Sequence, residues 1–431
     1  MNWPVLPLKR LVDPARPVTY GIVQAGPDTP GGIPYIRPAD MTAGFGVTDR
    51  SKLLRTTPEI ASSYRRSTVT TGDLVVSIGP SFGKVMIVPG ELDGANLTQG
   101  TARVAAAEGT NAQFLYWALQ STVTRQFWAS SVSGATFRAL NLEPLSRTPV
   151  THAPLKEQLR IADFLNVEIA RIDQLATTRN SQASALDERE LAVIGDMLSG
   201  KATRDNGKPT GWRWLPYVPA SWKIGPVYAY YRTELGKMLN ADRASGDRQR
   251  SYLRNANVHW YKITTADMAT MHFDPSETQR YSVRAGDLLV CEGGAGVAEA
   301  AVWDGRIEDC YFQKSLHRVR KDGPLPVEWL MFWLRLAKSC GVFEADGNIS
   351  TIPHLTGEQL REYRIPIPDD AQDRVEKINR ALAVMGSARA RLKQAQGLLA
   401  ERRQALITAA VTGEFDVSTA SGRNVTDGVH A

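Results

Sequence analysis

The sequence predicts a mixed α/β (α+β) fold in which two related globular domains are separated by two long helices forming an intramolecular antiparallel coiled coil. Three observations predict it: short motifs recur at a nearly constant offset, each half contains Gly- and Pro-punctuated β-forming stretches, and a long segment almost free of Gly and Pro follows each half. The expected result is a pseudo-twofold internal repeat with globules of ordinary domain size.

The internal repeat is visible in motifs that occur twice in the same order. Gly-Asp-Leu occupies 72–74 and again 286–288, which is an offset of 214 residues, and Tyr-Ile-Arg at 35–37 corresponds to Tyr-Leu-Arg at 252–254. A shared order and offset indicate duplication more strongly than any single match does. Further pairs are Gln99 with Gln313, Arg103 with Arg318, Gln158 with Gln372, and Trp3 with Trp222.

Each globule is predicted to contain short strands joined by tight turns, because runs of Val, Ile and Leu are interrupted by Gly and Pro. One short amphipathic helix is expected inside each globule, at 112–126 and at 327–337. The strands are expected at 67–78, 84–88 and 102–105, and at 281–291, 300–303 and 315–319.

The two long helices are predicted at 154–198 and 369–411, where Pro154 suits a first helical turn and Gly200 suits a helix end. Apolar residues recur at three-, four- and seven-residue steps, which is typical of a coiled-coil seam. The nearest partner for each helix is the other copy, so we expect antiparallel pairing. The predicted seam consists of Leu165, Ile172, Leu175, Leu186, Val193, Val375, Ile378, Leu382, Met385, Leu392 and Leu399.

These elements divide the chain into five predicted parts. We expect the first globule at 1–152, the central helix at 153–200, the second globule at 201–367, the C-terminal helix at 368–413 and a flexible tail at 414–431. A net charge of +6 favours nucleic-acid binding only weakly. Three cysteines without a CxxC pair argue against a zinc ribbon or a disulfide framework, and no apolar run suits a membrane span, so we expect a cytoplasmic protein.

No motif indicates a catalytic centre. The stretch 79–84 resembles a P-loop, but it is one residue short between its glycines and lacks Ser or Thr after the lysine. The glycines at 293–296 lack dinucleotide-binding spacing, and the six histidines show no metal-ligand spacing. We therefore expect a protein that is not an enzyme and that holds no metal or cofactor.

The duplicated plan of globule, long helix, globule and long helix resembles the specificity subunit of Type I restriction–modification enzymes. The opening of the first helix, Pro-Leu-Lys-Glu-Gln-Leu-Arg-Ile-Ala-Asp-Phe-Leu at 154–165, is similar to that family's helix-opening motif, and 368–375 is a looser match. The helix ends at 198–201 and 411–414 also look like the family's small-Gly-charged ending. The methyl-transfer tetrapeptide Asn/Asp-Pro-Pro-aromatic of related methyltransferases does not occur.

The resemblance implies that each globule is a target-recognition domain reading one half of a bipartite, asymmetric site in double-stranded DNA. It also implies that the helices fix the half-site spacing and dock two methyltransferase subunits, which carry S-adenosylmethionine. Restriction/translocase subunits would supply ATP- and Mg-dependent cleavage. The sequence leaves open a structural protein that homodimerises through its helices, and an enzyme with an unrecognised site.

Candidate DNA-contacting residues are Arg, Lys, Asn and other polar side chains on predicted loops at corresponding places in both halves, because these types bind phosphates and base edges. One group precedes the Gly-Asp-Leu strands, a second follows them, and a third precedes the long helices. The candidates are Lys52, Arg55, Tyr64, Arg65, Arg66, Lys84, Arg138, Asn141, Arg243, Arg248, Arg250, Arg254, Asn348 and His354.

Overall fold

The computed structural model describes residues 3–132, 139–239, 246–345 and 354–419, which form two compact units. Unit 1 comprises 1–180 and 393–431, and unit 2 comprises 181–392. Each unit therefore contains one globule together with part of each long helix.

Unit 1 contains nine short strands and four short helices among its described residues, followed by the start of the first long helix. The strands are β1 (Val5–Pro7), β2 (Thr19–Tyr20), β3 (Ile33–Ile36), β4 (Arg55–Thr56), β5 (Leu74–Ser77), β6 (Val85–Ile87), β7 (Asn96–Leu97), β8 (Thr101–Val104) and β9 (Pro149–Thr151). The helices are α1 (Pro58–Ser63), α2 (Ala112–Leu119), α3 (Thr122–Ser131), α4 (Leu142–Arg147) and the long α5 (Leu155–Ser199).

Unit 2 follows the same plan with two additional hairpins, at 207–219 and 258–263. Its strands are β10 (Gly207–Pro209), β11 (Tyr217–Pro219), β12 (Lys223–Pro226), β13 (Tyr231–Leu235), β14 (Gln249–Leu253), β15 (Val258–His259), β16 (Lys262–Ile263), β17 (Ala269–His272), β18 (Leu288–Cys291), β19 (Ala300–Val302), β20 (Tyr311–Phe312), β21 (Leu316–Lys321) and β22 (Arg364–Ile367). Its helices are α6 (Thr278–Tyr281), α7 (Val327–Ser339), α8 (Val342–Ala345), α9 (Gly357–Glu362) and the long α10 (Ala371–Thr412).

The two units have the same sheet topology. Unit 1 has an antiparallel four-stranded sheet, β2-β8-β5-β6, and a three-stranded sheet, β4-β3-β7, in which β3 and β7 are parallel. Unit 2 has β13-β21-β18-β19 and β17-β14-β20, with β14 and β20 parallel. The fold class and the internal repeat predicted from the sequence are thereby confirmed.

Strand β5 is buried on both faces, which explains its continuous apolar sequence. Leu74 and Val76 pack in one core cluster with α2, whereas Val75 packs in a second cluster with Ile36 of β3. Successive side chains of a strand point to opposite faces, so a strand between two layers needs apolar residues at every position. In unit 2, β18 is likewise divided between two clusters.

The Gly-Asp-Leu repeat marks the same turn in both units. Gly72 and Gly286 both have φ of 87°, and their amides donate to the carbonyl oxygens of Val88 and Trp303 at 2.8 Å. A positive φ of this size favours glycine strongly, so the repeated glycine follows from backbone geometry.

One pairing in the predicted repeat is wrong by one residue. In the structure, Thr98 rather than Gln99 is equivalent to Gln313. Thr98 forms a β-bridge with Ile22 in unit 1, and Gln313 forms the corresponding β-bridge with Lys237 in unit 2. Insertions in loops change the local offset, and only the ladder hydrogen bonds fix the register. The pair Gln158 and Gln372 also differs in environment, because the first is buried at the helix start and the second is exposed.

Three predicted elements are shorter or divided, and one of them is the strand expected at 281–291, which begins only at Leu288. The expected helix at 112–126 is two helices, because Ser121 caps α3 by accepting a hydrogen bond from the amide of Thr124. The expected strand at 67–78 begins only at Leu74, after a 3₁₀ turn at Arg65–Ser67. Residues 414–419, predicted to belong to a flexible tail, are described, and Phe415 packs on Phe164; residues 420–431 of that predicted tail lie outside the described residues.

The long helices pair antiparallel within each unit. In unit 1, Arg403 of α10 contacts Asp173 of α5 at 3.1 Å, and Gln396 donates to Asn180 at 2.6 Å. In unit 2, Arg389 contacts Asp187 at 2.7 Å. Within one chain each helix thus finds the partner that an isolated amphipathic helix requires, and the homodimer interpretation is not favoured.

The observed contact between the long helices within each unit is only partly apolar. Leu165, Ile172, Val375, Ile378 and Met385 are buried, mainly in the cores of the globules. Leu186, Val193, Leu382, Leu392 and Leu399 are half-buried. Polar pairs occupy many of the contacts between the helices.

The assignment of Leu175 to the seam is wrong, because its side chain is 46% exposed. Asp173 and Asn180, seven residues apart on one face of α5, contact α10 instead. Leu175 lies about 160° around the helix from Asp173, since each residue advances by about 100°.

A buried charged network joins α5 to the rest of unit 2. Glu190 is 2% exposed and accepts hydrogen bonds from Tyr261 Oη and Arg335 Nε, both at 2.9 Å, and from Arg389 Nη2 at 2.7 Å. The cation of Arg335 also lies 5.3 Å from the centre of the Trp260 ring. This network secures the globule of unit 2 to both of its helix segments.

Candidate nucleic-acid interface

A basic concave surface of unit 1 is a groove of about 760 Å³, here named the arginine groove and lined by Arg16, Arg65, Arg66 and Arg103 together with neighbouring residues. Arg65 and Arg66 are exposed. Arg16 is paired with Asp73 at 2.9 Å. The four guanidinium groups outnumber the Asp73 carboxylate, so the groove has a positive potential that suits phosphate.

Arg103 is the buried member of the groove. It is 4% exposed, and its Nη1 donates to the carbonyl oxygen of Thr68 at 2.9 Å. Burial lowers the pKa of Arg103, and the neighbouring Arg16 cation lowers it further. The guanidinium remains charged at neutral pH, so it contributes to the field of the groove without projecting into solvent.

A second concavity, the strand-end recess, lies where β5 ends. It has a volume of about 370 Å³, and its walls include Tyr20, Ile78, Pro80, Gln99 and Asn141. Thr19 lines the arginine groove and Tyr20 lines the recess, so β2 contributes to both concavities. Unit 1 therefore presents one cationic concavity and one less polar concavity.

The equivalent groove of unit 2 has mixed charge. Glu234 of β13 occupies the position of Thr19, because each pairs with the matched arginine, Arg318 and Arg103 respectively. Arg280 Nε contacts the Glu234 carboxylate at 2.8 Å. Burial, followed by repulsion from other cations, lowers the pKa of Arg318 to about 10. The shared scaffold thus carries different electrostatics in the two units.

The candidate residues of unit 1 fall in several places. Arg65 and Arg66 line the arginine groove, and Asn141 lines the strand-end recess. Lys84 uses its ammonium to contact carbonyl oxygens, including that of Met41 at 2.9 Å. The remaining three line neither concavity: Lys52 pairs with Asp49 at 3.1 Å, Arg55 donates to the Gly32 carbonyl at 2.9 Å, and Tyr64 is half-buried.

The candidates of unit 2 are less concentrated. Arg248 is exposed next to β14, Arg250 lies 3.8 Å from Asp309, and Arg254 lies 2.8 Å from Asp267. His354 contacts Glu292 at 3.3 Å beside the end of β18. Arg138, Arg243 and Asn348 lie outside the described residues. The DNA contacts of all fourteen candidates stay a prediction.

Sequence reasoning missed Arg16 and Arg103 as groove residues. Arg103 had a usable signal, since it is repeated as Arg318, but a buried arginine cannot be told from an exposed one by spacing. Arg16 had no repeated counterpart and enters the groove only through tertiary packing against Asp73. Within the described ranges, no group of three or more His, Cys, Asp or Glu side chains is arranged to hold a metal ion.

Among the residues that the structure describes, none of the helices combines the length and the apolar character needed to cross a bilayer.

Comparisons with known proteins identify the scaffold. Residues 24–184 match the family described as Type I restriction modification DNA specificity domain. The chain is 26% identical over 203 residues to the EcoBI specificity subunit of a Type I restriction enzyme from Escherichia coli, over 47% of this chain and 42% of the relative. The match therefore spans less than half the length of that relative.

Solved structures extend the likeness in fold along the chain. A chain of a type I R-M system, solved in work on its complex assembly and conformational transition, is 16% identical with a TM-score of 0.72, covering 96% of this chain and 98% of that one. The HsdS subunit from Thermoanaerobacter tengcongensis is 17% identical with a TM-score of 0.51, covering 96% and 97%. Residues 24–184 thus match a Type I restriction modification DNA specificity domain, and the fold along nearly the whole chain is similar to the folds of these two solved chains.

Proposed function

We propose that this chain is the DNA-sequence-specificity subunit of a Type I restriction–modification complex. The observation that carries the proposal is a duplicated two-sheet scaffold, of which the first copy matches a DNA specificity domain. Each unit then reads one half of a bipartite site.

The difference between the units supports an asymmetric site. Equivalent grooves carry Thr19 in unit 1 and Glu234 in unit 2. The same scaffold therefore presents a basic surface in unit 1 and a surface of mixed charge in unit 2. Two identical readers would select a symmetric sequence, whereas two readers with different surfaces select unrelated half-sites.

The chain acts without a catalytic centre of its own in this proposal. Two methyltransferase subunits dock on the long helices and carry S-adenosylmethionine, and restriction/translocase subunits supply ATP- and Mg-dependent cleavage. The helices, which pair antiparallel, also set the number of unread base pairs between the half-sites.

The test is to purify the full chain with the methyltransferase encoded beside its gene and to select bound DNA from a randomised duplex library. We expect one split sequence to be enriched, with affinity falling steeply as salt rises because phosphate contacts release counterions. Retention of all library sequences with equal affinity would overturn the proposal. A chain that purifies as a symmetric homodimer without DNA affinity would favour the structural alternative.

A further inference from the structure

The backbone that follows β5 and lines the strand-end recess has a matched counterpart after β18 in unit 2. In unit 1, the amide of Ile78 donates to the Gly100 carbonyl at 2.8 Å, and the Ile78 carbonyl accepts from the amide of Leu140 at 2.9 Å. In unit 2, the backbone amide of Glu292 donates to the Ser315 carbonyl at 2.9 Å, and the backbone carbonyl of Glu292 accepts from the amide of Leu355. Ile78 and Glu292 therefore occupy the same backbone position.

The fold does not require a carboxylate at this position. Ile78 and Glu292 are similarly buried, at 7% and 8% exposed, and the isoleucine serves the same scaffold in unit 1. Burying a carboxylate is costly unless it is paired. Among the described residues, the side-chain partner of Glu292 is His354, 3.3 Å away, whose own side chain is 54% exposed. A packing role therefore does not account for Glu292.

A second position near Glu292 also carries a polar side chain in unit 2 and an apolar one in unit 1. Asn255 of unit 2 occupies the position of Pro38 in unit 1. Asn255 contacts Ser315, and Pro38 packs against Gly100, the residue equivalent to Ser315. The side-chain nitrogen Nδ2 of Asn255 donates to the Gly293 carbonyl at 2.9 Å. Its Oδ1 is buried without a hydrogen-bond partner among the residues described. At these two positions unit 2 thus carries side-chain hydrogen-bond acceptors, whereas unit 1 carries Ile78 and Pro38.

On the basis of the proposed function, we propose that Glu292 is a specificity-determining residue that accepts a hydrogen bond from the exocyclic amino group of a cytosine or adenine in the half-site read by unit 2. An ionised carboxylate only accepts hydrogen bonds, and in the major groove cytosine N4 and adenine N6 are the donors. Guanine O6 and thymine O4 are acceptors, so they would face the carboxylate unpaired. The isoleucine of unit 1 offers no such selection.

The experiment uses the full chain in complex with its methyltransferase subunits and a randomised 30-base-pair duplex library. Glu292→Ile installs the residue that unit 1 already carries at the same position, and Glu292→Gln keeps the size while adding a donor. Glu308→Gln is the matched control, because Glu308 is an exposed carboxylate of the same unit. The readout is the base preference at each position of the enriched site.

We expect the unaltered complex to prefer cytosine or adenine by about tenfold at one base pair, as a good base contact does. Glu292→Ile should abolish that preference and leave the others unchanged, Glu292→Gln should admit guanine or thymine there, and Glu308→Gln should change nothing. Whether cytosine or adenine is enriched identifies the base.

The two proposals fail in different ways. If the unaltered complex shows no sequence preference, the proposed function falls. If it selects a split site and both Glu292 variants keep every preference, only the assignment of Glu292 is overturned. Should Glu292→Ile not fold, as judged by thermal unfolding, the size-matched Glu292→Gln decides the question.

Discussion

The buried network around Glu190 offers the sharpest test of how unit 2 is held to its helices. Replacing Glu190 with Ala removes a carboxylate that accepts three hydrogen bonds, from Tyr261, Arg335 and Arg389, at 2.7–2.9 Å. The two arginine side chains are 20% and 31% exposed, so both lose a partner in a largely dehydrated place. Part of the loss is offset where Arg389 keeps Asp187.

Breaking a buried ion pair by removing one partner costs about 3–5 kcal/mol. The residual pairing of Arg389 with Asp187 suggests the lower end of that range. For a unit of this size, 1 kcal/mol corresponds to about 2–4 °C, so we expect the unfolding midpoint of unit 2 to fall by roughly 10 °C.

The assay is thermal unfolding together with hydrogen exchange, which assigns the loss of protection to unit 2. Glu188→Ala is the matched control, because Glu188 is an exposed glutamate on the same helix. If Glu190→Ala unfolds at the same temperature as Glu188→Ala, the network does not hold the globule and the reasoning is refuted.

The same network predicts a pH dependence. Burial favours the neutral form of Glu190, but hydrogen bonds from Arg335, Tyr261 and Arg389 outweigh it and hold the pKa of Glu190 below its ordinary value. The ionised group therefore stabilises the fold above the unfolded pKa of about 4.3, and this contribution is lost as the pH falls through the lower folded value. The stability difference between the wild type and Glu190→Gln should be full at neutral pH and shrink below about pH 4.

Two further predictions concern the groove and the thiols. Replacing Arg65 and Arg66 together with Ala should weaken DNA binding and reduce the salt slope by up to about 2, because each phosphate contact contributes about one; an unchanged slope would remove the groove from the interface. Burial raises the pKa of the Cys291 and Cys310 thiols to about 12, whereas Cys340 is exposed. A thiol reagent at pH 8 should therefore label one cysteine in the folded chain and three after unfolding, and rapid labelling of all three would contradict the described core.

The candidate site was less predictable than the scaffold. Residue type singled out Arg65, Arg66 and Asn141, which line the two concavities of unit 1. It could not distinguish them from Lys84, whose ammonium contacts backbone carbonyls. It also missed Arg16, because a groove depends on which distant segments pack side by side.

The sequence by itself determined the duplication and the two long helices. These features depend on local physics: the left-handed turn at Gly72 and Gly286 requires glycine, and a segment without Gly or Pro can continue as a helix for many turns. Side-chain spacing then indicated an amphipathic helix that needs a partner.

Only the tertiary structure decided the register and the environment of each side chain. Glu190 appeared as one polar residue on a helix, yet in the fold it is a buried acceptor for three donors from distant segments. Leu175 fitted the heptad pattern, yet it is exposed because Asp173 contacts the partner helix instead. Burial and pairing are properties of two surfaces in contact, and a sequence read along one strand or helix specifies only one of them.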